Sequence, residues 1–203
     1  MKIICVGLNY ASHAEEIGMT REKDPVVFMK PDTALLRGNM PFFIPDWAGQ
    51  FDYEAELVLR ISRLGRHVET RFAHRYYDAI GLGIDFTARD LQAKLAAAGQ
   101  PWEICKSFDY SAAISDFIPV SEFPDVSNID FSLSLNGELR QHGNSADMIN
   151  SFDEIVAYVS RFFSLRIGDL IFTGTPPGVG PVKIGDNIVG KIGERTMLDL
   201  RVK

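Results

Sequence analysis

The chain opens on an apolar run, Ile3-Ile4-Cys5-Val6, which predicts a buried strand over 3–8, followed by a short helix over 11–17 closed by Gly18. Polar and charged residues fill 19–25, the composition of an exposed connection able to act as a lid. Residues 26–30 predict a second strand, ended by Pro31, and 32–50, with its prolines and aromatics, predicts irregular structure with short strands. The clearest alternation runs over 51–61. Tyr53, Ala55, Leu57, Leu59 and Ile61 share one face, and Asp52, Glu54, Glu56, Val58 and Arg60 the other. Residues 79–86 predict another strand, whose glycines imply close approach of a neighbouring backbone or a bulge. Thr87 and Asp90 have capping-box spacing and open a predicted helix through Ala98, stopped by Gly99 and Pro101. Further on, 131–135, 170–173 and 187–192 predict strands, and the spacing of Phe152, Ile155, Val156 and Val159 predicts a helix over 151–163. Strands outnumber helices. The turns 166–169 and 183–186 resemble each other and each precedes a strand, but they are too short to be a repeat.

At 203 residues and 46% hydrophobic, the chain fits one domain, 1–203, with a substantial core. A net charge of -6, with basic residues scattered singly, argues against a nucleic-acid partner and favours a small molecule. Cys5 and Cys105 imply neither a disulfide framework nor a thiolate metal site, which fits a reducing compartment. No apolar run approaches the roughly 20 residues of a membrane helix, and no leader pattern precedes the first strand, so the expected location is the cytoplasm.

Glu54 and Glu56 stand two apart on the predicted strand, so both carboxylates leave one face with Cα atoms about 6.5–7 Å apart. In a cleft, such a pair is stable only if one takes up a proton or a cation sits between them, and a hard divalent ion prefers oxygen ligands. Asp85, ending an apolar strand at a strand-to-helix junction, is the expected third ligand. The alternative is that the two glutamates lie on a solvated face. His13 and Glu16, three apart on the first helix, can form a dyad in which the carboxylate orients the imidazole, or can face water alone. The loop 173–180, with three glycines and two prolines, can present amides to a carboxylate or simply make a tight turn. It lacks the Lys and spacing of a phosphate-binding loop. Arg89 and Lys106 are near enough to this region to pair with an anionic substrate, or are ordinary surface charges.

In order, Gly7-Leu-Asn-Tyr-Ala-Ser-His13, Val27-Phe-Met-Lys-Pro31, Asp52-Tyr-Glu-Ala-Glu-Leu57, Asp85-Phe-Thr-Ala-Arg-Asp-Leu-Gln92, Lys106-Ser-Phe-Asp109, Asn136-Gly-Glu-Leu-Arg-Gln141 and Gly168-Asp-Leu-Ile-Phe-Thr-Gly-Thr-Pro176 resemble the fumarylacetoacetate hydrolase family along nearly the whole chain. The resemblance is strongest to its short acylpyruvase and oxaloacetate decarboxylase branch. It implies an α+β, mainly β fold, a mixed β-roll with a few short helices, and a homodimer. It further implies Mg²⁺ or Mn²⁺ held by Glu54, Glu56 and Asp85, a lid-borne His13–Glu16 dyad that activates water, and Arg89, Gln92, Lys106 and Thr175 around the substrate. The chain departs from the pattern at Tyr110-Ser-Ala-Ala113 and Glu103-Ile-Cys105, which bears on substrate identity more than on the metal.

A 2-oxo acid can chelate such a metal, and cleavage of its C3–C4 bond leaves an enolate. Hydrolysis of an acylpyruvate then needs His13, oriented by Glu16, to activate water. Decarboxylation of oxaloacetate needs only a carboxylate held by Lys106 or Gln92. The rival expectations are an isomerase or decarboxylase of homoprotocatechuate-type ring-cleavage products, and a metal-binding protein that has kept the fold without activity.

Overall fold

The computed structural model describes residues 1–12 and 24–203. Its strands, in chain order, are β1 (Ile3–Gly7), β2 (Val26–Lys30), β3 (Leu35–Arg37), β4 (Phe51–Tyr53), β5 (Ala55–Ile61), β6 (Tyr77–Asp85), β7 (Thr87–Ala88), β8 (Ala112–Ile114), β9 (Ile118–Pro119), β10 (Asp130–Leu135), β11 (Glu138–Asn144), β12 (Leu170–Phe172), β13 (Gly180–Pro181), β14 (Asn187–Ile192) and β15 (Arg195–Arg201). The helices among the described residues are short: α1 (Thr70–Ala73), α2 (Arg89–Ala97), α3 (Glu103–Lys106) and α4 (Phe152–Phe162). None is long and apolar enough to cross a membrane. The fold is α+β and mainly β, as expected.

Eight strands form a mixed sheet in the order β2-β1-β12-β5-β6-β8-β3, with β9 also paired to β6. β1 runs parallel to β12, and β3 parallel to β8. Buried clusters lie on both faces of this sheet, which explains why β1 and β12 read as near-continuous apolar runs. On β1, Ile4 and Val6 enter the large core with Leu57 and Leu59, while Ile3 and Cys5 enter a second cluster with Val58 and Phe172. A four-stranded antiparallel sheet, β11-β10-β14-β15, and a small sheet, β13-β4-β7, complete the roll. The main core also takes in Phe152, Ile155, Val156 and Val159 of α4, whose start carries a complete capping box between Ser151 and Glu154.

Three local expectations need correction. The strand predicted over 51–61 is divided at Glu54 into β4 and β5, which belong to different sheets, although the register runs on unchanged across it, Phe51 opposite Ala88 and Ala55 opposite Ile84, with Asp85 N donating to the Glu54 carbonyl at 2.8 Å. The predicted capping box at Thr87 is absent. Thr87 and Ala88 pair with β4, the helix starts at Arg89 without a side-chain cap, and Asp90 instead accepts from the amides of Gly49 and Leu91. In β6 the glycines answer to side chains rather than to a bulge or a backbone. A Cβ on Gly83 would come within 2.5 Å of Phe172 Cε1 and 2.8 Å of Val58 Cγ2.

Candidate active site

The junction of β4 and β5 carries the site. Where β4 passes into β5, Glu54 and Glu56 are delivered to one pocket, and Asp85 arrives from the adjoining end of β6, where Ala55 pairs with Ile84. All three are buried, so the solvated-face alternative does not hold. One oxygen from each lies within 4.8 Å of the others, a spacing that a single divalent cation with bonds of about 2.0–2.6 Å can bridge.

Five of the six oxygens of these carboxylates also face partners within the protein. Glu54 Oε1 accepts from Arg89 Nη2 at 2.5 Å, and its Oε2 accepts from Lys106 Nζ at 2.6 Å. Asp85 Oδ2 accepts from Lys106 at 3.0 Å. Its Oδ1 has Lys30 Nζ 2.8 Å away, an ion-pair contact whose angles do not make a hydrogen bond. Glu56 Oε2 accepts from Gly174 N at 2.6 Å. Gly174 has φ +100, and a Cβ there would meet Asn9 Cβ at 2.7 Å, so glycine is required for this approach. The loop amide that the sequence offered to a carboxylate is thus engaged by the protein's own Glu56.

Charge tests the fit of a cation. Asp52, Glu54, Glu56 and Asp85 are buried together against three cationic side chains, Lys30, Arg89 and Lys106. Burial, then Asp85 and Glu54, push the Glu56 carboxyl well above its ordinary range. A divalent cation among the three carboxylates relieves that repulsion, and the all-oxygen donor set suits Mg²⁺ or Mn²⁺. Burial by itself would lower Lys106, but Asp85 and Glu54 outweigh it and hold the ammonium above its ordinary value.

Arg89, Gln92, Lys106 and Thr175 all line the same pocket as the carboxylates. Arg89 is less free than expected. Its guanidinium donates to Asp52 Oδ2, Glu54 Oε1 and Gln92 Oε1 at 2.8, 2.5 and 2.6 Å. Because Gln92 Oε1 accepts from Arg89, the amide nitrogen of Gln92 keeps both its hydrogens for other partners. Val6, Leu8, Phe28 and Trp102 supply the apolar wall. His13 and Glu16 lie outside the described residues, as does most of the predicted lid over 19–25.

Two further buried residues, Lys30 and Asn9, have no role expected from the sequence. Lys30 closes an apolar strand, and its ammonium also donates to the carbonyl of Lys106 and to Ser111 Oγ. A lone Lys ending an apolar run is a signal of a buried cation. Asn9 follows Leu8, whose φ is +60. Its side chain donates to the carbonyls of Asn150 and Thr173 and accepts from Asn150 N, which ties the end of β1 to the Gly174 loop.

The profile described as fumarylacetoacetate hydrolase C-terminal matches residues 2–203. The chain is 44% identical over 188 residues to an oxaloacetate tautomerase of Escherichia coli (strain K12), covering 92% of this chain and 86% of that protein. It is 41% identical over 186 residues to a mitochondrial oxaloacetate tautomerase of Bos taurus, covering 92% and 84%. A crystal structure of fumarylpyruvate hydrolase from Pseudomonas aeruginosa, in complex with Mn²⁺ and pyruvate, superposes with a TM-score of 0.94 at 39% identity, covering 100% of this chain and 89% of that one.

Proposed function

The chain belongs to the fumarylacetoacetate hydrolase family, and from that premise we propose that it is a Mg²⁺- or Mn²⁺-dependent enzyme that cleaves the C3–C4 bond of a small 2-oxo acid. The observation that carries this reading is the convergence of Glu54, Glu56 and Asp85 in a pocket that also presents Arg89, Gln92, Lys106 and Thr175. The Mn²⁺ and pyruvate of the fumarylpyruvate hydrolase supply the matching precedent.

Glu54, Glu56 and Asp85 would hold the cation, which supplies Lewis-acid stabilisation of the charge that develops on the 2-oxo oxygen as the C3–C4 bond breaks. The chain's own residues do the rest. With a divalent ion added to three cations and four carboxylates, the cluster is net positive and attracts an anion. Lys106 has a third N–H beyond those given to Glu54 and Asp85, and Gln92 has a free amide end, so both can bind the substrate's far oxygen atoms. The wall of Val6, Leu8, Phe28 and Trp102 keeps water from the carbon skeleton. In hydrolysis, His13 with Glu16 takes the proton of the attacking water. In decarboxylation, Lys106 or Gln92 orients the departing carboxylate.

The tautomerase names of two relatives favour a second reading, keto–enol interconversion of oxaloacetate, which needs the same stabilised oxygen but breaks no C–C bond. One assay separates the two. With Mg²⁺ or Mn²⁺ and a panel of acylpyruvates and oxaloacetate, cleavage releases pyruvate, whereas tautomerisation changes the enol absorbance without pyruvate. Absence of both, at saturating metal, would leave the reading without support.

A further inference from the structure

Gln141 is on β11, in the four-stranded sheet, yet its amide ties together two pieces of the pocket. Oε1 accepts from Ala55 N at 2.9 Å, and Ala55 stands between Glu54 and Glu56. Nε2 donates to Thr175 Oγ1 at 2.8 Å and to the Pro176 carbonyl at 2.9 Å. Gln141 is itself 1% exposed. A bulge puts it there: Gln141 pairs with Leu133 and Leu139 with Ser134, so Arg140 is the extra residue. The parity of the strand changes across it, leaving Leu139 63% exposed while Gln141 points inward.

The amide orientation follows from chemistry at both ends. Ala55 N–H requires an acceptor and the Pro176 carbonyl requires a donor, so the oxygen and the nitrogen are each assigned by a separate partner. The direction of the Thr175 hydroxyl follows in turn. Nε2 has only hydrogens to offer, so Thr175 Oγ1 must accept there, and its own proton is turned to another acceptor. Thr175 lines the pocket together with the three carboxylates.

We infer that Gln141 is a positioning residue that fixes the Thr175 hydroxyl as a hydrogen-bond donor into the pocket and clamps the Thr175 loop to the strand carrying both glutamates. This part of the pocket therefore selects an oxygen acceptor on the substrate, a carboxylate or keto oxygen, and discriminates against an N–H or apolar group. The inference rests on the 2-oxo acid reading above.

The test is a double-mutant cycle on oxalate binding, an all-oxygen probe, measured by calorimetry with Mn²⁺-loaded protein. Gln141→Glu keeps the acceptor for Ala55 N but presents an acceptor to Thr175, so the hydroxyl turns back and oxalate binding weakens by about 10-fold or more. In a Thr175→Val background the same change has little effect, because no hydroxyl remains to be redirected. Equal losses in both backgrounds would overturn the assignment, since a purely structural role does not depend on that hydroxyl. If Gln141→Glu does not fold, Gln141→Met, of similar length and uncharged, enters the same cycle with the same criterion and a smaller expected loss. Failure of the wild type to bind oxalate with Mn²⁺ would instead count against the proposed function, and is read without any variant.

Discussion

The ammonium of Lys106 lies 2.6 Å from Glu54 Oε2, inside the carboxylate cluster rather than at its rim. It shares two carboxylates, Glu54 and Asp85, with any cation bound at the triad, so the two would be linked through them.

Lys106→Met should act in two opposed ways. Removing the ammonium leaves Glu54 and Asp85 short of a buried partner, which costs the metal-free protein on the order of 3–5 kcal/mol. Added Mn²⁺ should restore more stability to the variant than to the wild type. Thermal unfolding with and without Mn²⁺ checks this, and an equal metal-induced shift in the two proteins would argue against the linkage.

Cation binding should depend on Glu56 more than on any neighbour outside the triad. Calorimetry of Glu56→Gln is expected to show a loss of about 10²-fold or more in Mn²⁺ affinity, beyond the 10–100-fold typical of outer-shell changes. In the wild type, Mn²⁺ at 100 times its Kd adds about 2.7 kcal/mol of stability. Retention of full affinity by Glu56→Gln would place the cation elsewhere.

His13→Ala should abolish acylpyruvate hydrolysis, by about 10²–10⁴-fold, and spare a measurable part of any oxaloacetate decarboxylation. Only hydrolysis needs an activated water. Steady-state kinetics on both substrates decide it, and parallel losses would remove His13 from the role of base.

Gly83→Ala tests the packing of the central strand. The new methyl meets Phe172 and Val58, both buried, and overpacking of this kind costs about 1–3 kcal/mol. Denaturant unfolding should show the loss with an unchanged slope.

The thiols should be inert in the folded protein. Burial pushes Cys105 up to about 11, and Cys5 is also held well above its ordinary value, so almost no thiolate exists at pH 8. Reactivity rises with pH toward the raised value or on unfolding. Alkylation followed by mass spectrometry should find both cysteines unmodified at pH 8 until denaturant is added.

Much of this was legible in the chain. Val26 to Lys30 and the helix behind Ser151 follow the expected bounds closely, because period and capping chemistry are local. The triad was legible through Glu54 and Glu56 on one strand face and Asp85 at a strand end. What escaped was set by partners far away in sequence. The division of 51–61 between two sheets depends on the partners β7 and β6, the burial of Lys30 on Asp85 and Ser111, and the inward turn of Gln141 on a bulge opposite Ser134. The short strands β3, β7, β9 and β13 carry too few residues to show any period.

The parallel pairing of β1 with β12 sets the order in which the site can come into being. Ile3 pairs with Leu170, Asn9 bonds the Thr173 carbonyl 164 residues away, and the amide that satisfies Glu56 comes from Gly174. A nascent chain that has reached Lys106 already carries all three acids and all three of their cations, but Glu56 still lacks the Gly174 amide that donates to it and β5 lacks its neighbour β12. High contact order of this kind slows folding, and it makes ligand competence a property of the last fifth of the chain to be synthesised. A fragment ending before Leu170 should contain every acidic ligand and still fail to bind the ion.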